Sequence, residues 1–278
     1  MALQDKRERL WTALRECGSV VVGYSGGVDS VFLARIAVEV LGRDSVLAVT
    51  GKSASVPSWM EDTARQVAER FGIPWLEVPT DEVSDPRYAA NPSNRCYFCK
   101  TELWGKLAEV ARDRGIRTVL DGSNADDVGD HRPGAVAAGE HGVRSPLLEA
   151  GLTKDEIRAW SRELGLPTWD QPAAPCLASR LPYGLAVTPE RLRQVERAES
   201  GVRALGFRDF RVRHHGTVAR LEVAPAELER VGPLRADLAR AVRDAGFARV
   251  LLDLQGYRRG ALNEGLASAQ LVQLGGAA

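Results

Sequence analysis

The chain has 278 residues, a length that points to about two domains, each large enough to bury a core. Hydrophobic residues make up 44% and charged residues 27%, which excludes wholesale disorder; 37 basic against 37 acidic side chains exclude a global field toward nucleic acid or an anionic membrane. No run reaches the roughly 18 apolar residues of a membrane span, the opening MALQDKRERLWTAL is charged and helical, and four cysteines are too few for a disulfide framework, so the expectation is a cytoplasmic protein.

After the opening amphipathic helix, residues 19–24 (SVVVGY) form a short β-branched run, as a buried parallel strand does, and a helix follows over 29–41. Further strands are expected at 45–49, 74–78 and 118–120, separated by helical stretches at 61–71 and 101–114. Strand and helix alternation of this kind implies an α/β fold with a doubly wound parallel sheet. Thr153 with Glu156 three residues later reads as a capping box that starts the next helix. From Thr188 the pattern changes to a helix (189–205), strands at 210–213 and 219–223, a helix near 234–245 and a strand at 249–253. That predicts a small α+β unit, and a division into residues 1–184 and 185–278. The stretches 53–58, 81–94 and 126–142 are long enough to act as lids.

Ser25-Gly26-Gly27-Val28-Asp29-Ser30 sits between the first strand and its helix. Glycines there let backbone approach a ligand, and stacked N–H groups with a helix N-terminus favour a phosphate anion. An ordinary strand-to-helix turn is the plainer alternative, but SGGxDS after a β-run is far more restrictive than a glycine pair. The segment resembles the loop of the PP-loop ATP pyrophosphatases, which split ATP into AMP and pyrophosphate while adenylylating a substrate oxygen.

A second constellation is Arg95-Cys96-Tyr97-Phe98-Cys99-Lys100, joined much later by Pro175-Cys176-Leu177-Ala178-Ser179-Arg180. Three cysteines without an obvious fourth partner suit an iron–sulfur cluster with one open iron better than a closed zinc site. Zinc completed by His131 or His141, a redox pair, and unrelated core cysteines remain alternatives. Arg95 and Lys100 flank the pair and would stabilise thiolate. Cys17, in the first helix, reads as a core residue.

NPSNRCYFCK (91–100), DGSNADDVGDHRPG (121–134), RSPL (144–147), PCLASR (175–180) and LDLQGYRRG (252–260) together resemble the LarE family, PP-loop sulfur transferases of nickel-pincer cofactor synthesis for lactate racemase. The resemblance covers most of the chain. It implies the adenine nucleotide alpha hydrolase-like fold, ATP and Mg²⁺ as cofactors, and pyridinium-3,5-biscarboxylic acid mononucleotide as the small-molecule substrate. Some members sacrifice the sulfur of a single cysteine at the Cys176 position; others carry a [4Fe-4S] cluster. The set Cys96, Cys99 and Cys176 resembles the cluster type, with an external sulfide donor as partner.

The resemblance places Ser25, Gly26, Gly27, Asp29, Ser30 and Gly122 around the pyrophosphate, and Lys100 and Arg180 near the ATP phosphates or the acyl-adenylate. Asp126 and Asp127, with Glu199 and Glu222, become candidates for divalent ions, which prefer hard oxygen ligands. Arg211, Arg213 and Arg258 become candidates for the substrate phosphate. Arg211 and Arg213 share a strand face at period two, whereas the adjacent His214 and His215 face opposite ways, so at most one reaches a pocket. A homo-oligomer built through the small unit is also implied. A tRNA-thiolating enzyme should show a basic RNA surface, and a zinc-stabilised nucleotide-binding protein should hold zinc without turning over ATP.

Overall fold

The computed structural model describes residues 2–129, 132–258 and 260–263. The chain runs α1 (Leu3–Cys17), β1 (Val20–Gly23), α2 (Val28–Leu41), β2 (Val46–Lys52), α3 (Ser58–Phe71), β3 (Trp75–Pro79), α4 (Pro86–Ala89), α5 (Arg95–Asp113) and β4 (Thr118–Leu120). The short α6 (Pro133–Glu140) and α7 (Pro146–Glu149) follow, then α8 (Lys154–Glu163). The second part comprises α9 (Pro189–Ala204), β5 (Phe210–His215), β6 (Val218–Val223), α10 (Leu228–Asp244) and β7 (Arg249–Leu252).

The first four strands form one parallel sheet in the order β3-β2-β1-β4. Its valine-rich strands are apolar on both faces because both faces are covered. Val20 and Val22 of β1 pack with α1, α2 and α8, while Val21 packs with Leu47, Val49 and the Trp104 and Leu107 of α5. The chain adds β2 and β3 on one side of β1 and then returns through α5 to place β4 on the other. The sheet therefore has a switch point between β1 and β4, where α/β folds open a crevice at the carboxyl ends of the strands.

The second sheet has the order β5-β6-β7, with β5 and β6 antiparallel and β6 and β7 parallel. Its core includes Phe210, Val212, Leu221 and the inner faces of α9 and α10, and it draws in Tyr88, Leu177, Ala178 and Leu181 from before residue 185. The parallel doubly wound sheet and the small α+β unit match the sequence expectation.

Three local expectations change. Helix α5 begins at Arg95 rather than 101, because Pro92-Ser93-Asn94 makes a turn that leads straight into it, with Arg95 N–H bonded to Pro92 O at 3.0 Å. Cys96 and Cys99 therefore stand in the first two turns of a helix. Helix α10 starts at Leu228 and carries Pro233 within it, where proline usually ends a helix. The 126–142 stretch, read as a loop, contains α6. His131, an alternative metal ligand, and the C-terminal LGGAA lie outside the described residues.

Candidate nucleotide and thiol site

The SGGVDS loop leaves β1 at the switch point. Tyr24 N–H bonds to Val49 O at 2.8 Å and Thr50 Oγ1 donates to Tyr24 O at 2.6 Å, so the start of the loop is clamped to β2. The loop closes on Ser30: Ser25 N–H donates to Ser30 Oγ at 3.1 Å and the two hydroxyls lie 3.1 Å apart. Gly26 has φ +74°, and a Cβ there would stand 2.9 Å from Met60 O and Ala64 N, both backbone atoms of α3. Only glycine fits that combination of left-handed backbone and close approach. Gly122, from the end of β4, lies against the same loop; its Cβ would meet Asp29 Cβ at 3.1 Å and Ser30 N at 3.2 Å. The expected cradle residues are thus brought together.

Around the start of α2 stands a charged group that links three segments. Asp29 accepts from Lys154 Nζ and from Asn124 Nδ2, the latter at 3.4 Å. Asp126 accepts from Lys154 N–H at 2.8 Å, and Asp127 accepts from Asn124 N–H at 3.0 Å and ion-pairs with Arg132. Burial raises the Asp127 carboxyl above its usual range although Arg132 opposes the shift. Lys154 is a residue that sequence reasoning missed: beside the Thr153 cap it looks like any solvated lysine at a helix start. Its position opposite Asp29 makes it a cation at the mouth of the phosphate loop.

The three cysteines of interest are free and half-buried. Cys96 and Cys99, three apart on α5, share one helix face. Cys176 precedes the turn Leu177–Arg180, and that segment is fixed by Leu177 N–H bonding to Ser55 O at 2.7 Å. The thiols act on one another electrostatically: burial and then Cys176 push the Cys96 thiol up, while Arg95, Lys100 and Arg132 oppose them. Burial and Glu82 raise Cys99, with Cys176 and Cys96 also contributing. Cysteine sulfurs are soft donors, but burial outweighs the neighbouring cations and raises both α5 thiols, against the expectation that Arg95 and Lys100 favour thiolate. Among the described residues, no three His, Cys, Asp or Glu side chains close around a single ion. His141 lies against Gly105, farther along α5 than Cys99.

Asn91, which the sequence analysis missed, and Arg95, expected there only as a cation beside the thiols, explain the NPSNR motif. Asn91 has φ +55° and donates to the carbonyls of Pro182 and Leu185 at 2.7 and 2.9 Å, while Arg95 Nη1 donates to Asn91 Oδ1 at 2.8 Å. This buried staple binds the start of α5 to the segment after Cys176. Lys100 sits on the same helix, its Nζ 4.9 Å from the Trp104 ring centroid.

Other expected site residues take different positions. Arg180, expected near ATP phosphates, is 2% exposed and already engaged: it forks onto Glu199 at 2.8 and 2.9 Å and donates to the Pro175 and Cys176 carbonyls. It holds the Cys176 segment rather than presenting a free guanidinium. Glu199 and Glu222 do not join Asp126 and Asp127 at a divalent-ion position. Glu199 binds Arg180 and accepts from Val212 N–H at 3.0 Å, and Glu222 binds Arg213 and Arg220 at 2.9 and 2.8 Å. A buried carboxylate needs such compensation: Glu222 obtains it within the small unit, and Glu199 obtains it from Arg180 in the turn after Cys176.

Arg211 and Arg213 share a face of β5, as expected. Arg213 reaches Ser179 O at 2.8 Å; Arg211 reaches Ala173 O and stacks 4.3 Å from the Tyr257 ring. Both thus brace the chain on either side of Cys176. Arg258 follows Tyr257 in an exposed loop held to β6, where Tyr257 N–H bonds to Val223 O at 2.8 Å. His214 is buried against Gln194 and Phe247 while His215 faces outward, so neither histidine joins the thiols. Cys17 is a core residue whose Sγ donates to Ala13 O at 3.1 Å.

Comparison with known proteins agrees with this geometry. The NAD synthase family matches residues 5–94, which span the phosphate loop. The ammonia-dependent NAD⁺ synthetase of Chlorobaculum tepidum is 37% identical over 75 residues, 27% of either chain. An uncharacterized protein of Synechocystis is 44% identical over 264 residues, 94% of this chain and 98% of its own. The pyridinium-3,5-bisthiocarboxylic acid mononucleotide synthase of Lactiplantibacillus plantarum is 37% identical over 269 residues, 97% of this chain and 98% of its own. With similarity of that extent over nearly the whole of both chains, this chain belongs to the LarE family of PP-loop enzymes, the family of that synthase.

Proposed function

We propose that this chain is an ATP-dependent sulfur transferase that converts a carboxylate of pyridinium-3,5-biscarboxylic acid mononucleotide into a thiocarboxylate in the cytoplasm. A carboxylate resists substitution because its oxygen is a poor leaving group. In the proposed reaction that oxygen attacks the α-phosphorus of ATP, pyrophosphate departs, and sulfide then displaces AMP from the acyl carbon. The observation that carries the reading is the SGGVDS loop at the switch point, where Gly26 and Gly122 allow backbone approach and Lys154 stands opposite Asp29, in a chain of the family to which that synthase belongs.

In this reading the Ser25–Ser30 loop and Gly122 receive the pyrophosphate, Lys154 and Lys100 supply positive charge, and Asp29, Asp126 and Asp127 position Mg²⁺. The exposed Arg258 meets the substrate's anionic groups, while Arg211 and Arg213, buried and bound to Ala173 O, Ser179 O and Glu222, brace the Cys176 segment. Cys96, Cys99 and Cys176 would hold a [4Fe-4S] cluster, which when bound supplies a sulfide at its fourth iron. Arg180 and Arg95 keep the Cys176 segment and the start of α5 in register. The chain self-associates through its small unit, consistent with the outward-facing Leu251 and Leu254 at and beyond β7, an edge strand.

The test is anaerobic incubation with ATP, Mg²⁺, the biscarboxylate mononucleotide and sulfide, followed by mass spectrometry of the substrate. Formation of thiocarboxylate with AMP and pyrophosphate, together with about four irons per chain lost in Cys96→Ala, is the expected result. AMP production with no sulfur incorporation overturns the transferase reading. Loss of sulfur from Cys176 in protein lacking iron replaces the cluster with the sacrificial route.

A further inference from the structure

The strap from Gln171 to Cys176 forms neither helix nor strand, so its carbonyls find no partners in a regular ladder. Arginines take them instead. Arg211 of β5 holds Ala173 O, Arg180 holds the Pro175 and Cys176 carbonyls, and Arg213 holds Ser179 O just beyond. Those three belong to the small sheet or to the turn after Cys176. Arg158 is different, because it stands on α8, which packs through Ile157 and Trp160 into the core of the parallel sheet. Its Nη1 donates to Trp169 O at 2.5 Å and its Nη2 to Gln171 O at 2.7 Å.

The fork suits the task. One planar guanidinium meets two carbonyls two residues apart, whereas the ammonium of lysine is a point charge on a flexible stem. A second contact comes one turn later on the same helix, where the Arg162 guanidinium lies 5.0 Å from the Trp169 ring centroid. Residues 154, 158 and 162 repeat every four positions and so lie along one side of α8. The helix thus begins with Lys154 opposite Asp29 at the phosphate loop and, about 6 Å further along its axis, holds the strap that leads to Cys176. Its start is pinned by Lys154 N–H on Asp126 at 2.8 Å and by Lys6 on Glu156 at 2.7 Å. A helix pinned at the loop and gripping the strap fixes the spacing between them.

We propose that Arg158 is a positioning residue for the sulfur-transfer step: through α8 it holds the Cys176 strap at a set distance from the phosphate loop. The inference rests on the reading that Cys176 serves sulfur transfer. Arg158 itself touches no reacting atom. Without it the strap keeps Arg211 and the bond from Leu177 N–H to Ser55 O but loses its tie to α8.

The test alkylates the full chain, prepared without iron, with iodoacetamide and follows each cysteine by peptide mass spectrometry in wild type, Arg158→Met and Arg158→Lys. Arg158→Met should speed labelling of Cys176 relative to Cys96 and Cys99 by roughly threefold or more, with ATP affinity unchanged and Arg158→Lys in between. In turnover it should release more AMP per thiocarboxylate than wild type, because adenylylation proceeds while sulfur delivery lags. General loss of fold slows both products alike, so this ratio separates positioning from mere stability. If Arg158→Met fails to fold, Arg158→Lys carries the same two readouts. Labelling of Cys176 that does not rise above that of the other two thiols, a fall in ATP affinity, or a ratio equal to wild type overturns the positioning role. Wild type that makes no thiocarboxylate overturns the sulfur-transfer reading on its own, whatever the labelling shows.

Discussion

Replacing Glu199 by Ala removes the carboxylate that Arg180 Nε and Nη2 address at 2.8 and 2.9 Å. The side chains are 3% and 5% exposed, so water cannot take over the lost partner. Leaving one member of a buried pair uncompensated costs about 3–5 kcal/mol. Val212 N–H, which donates to Glu199 at 3.0 Å from a fully buried position, loses its acceptor at a further cost of about 1 kcal/mol. Against a typical unfolding free energy of about 5–15 kcal/mol, the variant should lose a large share of its stability. The damage reaches the thiols, because the same guanidinium donates to the Pro175 and Cys176 carbonyls.

The assay is urea unfolding of wild type, Glu199→Ala and Glu199→Gln, followed by circular dichroism. Glu199→Gln keeps the shape and loses the charge, so it should fall between the other two. The pair also has a pH signature. Burial pushes the Glu199 carboxyl up, but Arg180 and the Val212 N–H outweigh burial and hold it below its ordinary 4.5. Because the folded value is depressed, the contribution is complete above 4.5 and is lost as pH falls through the depressed value. Wild type should therefore lose more stability on acidification than Glu199→Gln does. A Glu199→Ala protein within about 1 kcal/mol of wild type, or equal acid slopes, would refute the reasoning.

Two further outcomes concern the phosphate loop. Gly26→Ala forces an L side chain into φ +74° and drives its Cβ to 2.9 Å from α3 backbone, so the loop must move. The backbone conformation alone costs about 1–2 kcal/mol, and ATP affinity should drop by roughly tenfold or more, read by calorimetry; unchanged affinity would show that the loop does not touch the nucleotide. Lys154→Met removes the cation opposite Asp29 at a partly exposed position, so stability should change by less than about 1 kcal/mol. ATP binding should weaken markedly and lose much of its salt dependence, and a variant with wild-type affinity at low salt removes Lys154 from the phosphate site.

Residues whose task is local were legible in the chain. The valine run of β1, the SGGVDS turn and the Thr153 cap each act within a few positions, so their geometry follows from backbone preference and periodicity. Cys96 and Cys99 were legible as a pair from their CxxC spacing, although the helix that carries them was expected only from 101. Cys176 was joined to them by cysteine chemistry and by the family motifs, since no local rule connects it to α5.

What only the tertiary structure decided is which charges meet. Lys154 against Asp29, Arg132 against Asp127, and Asn91 with Arg95 against the 181–185 segment join residues far apart in the chain or give ordinary polar side chains a specific partner. Glu199 and Glu222 looked like metal-binding carboxylates and became the counter-charges of Arg180 and Arg213. A carboxylate has the same letters in either role. Its partner is set by the fold, because removing a charge from water demands compensation from whichever group the packing brings within reach. The arginines that hold the Cys176 strap follow the same rule: Arg158 comes from α8 and Arg211 from β5, and they meet its carbonyls only once those elements have packed.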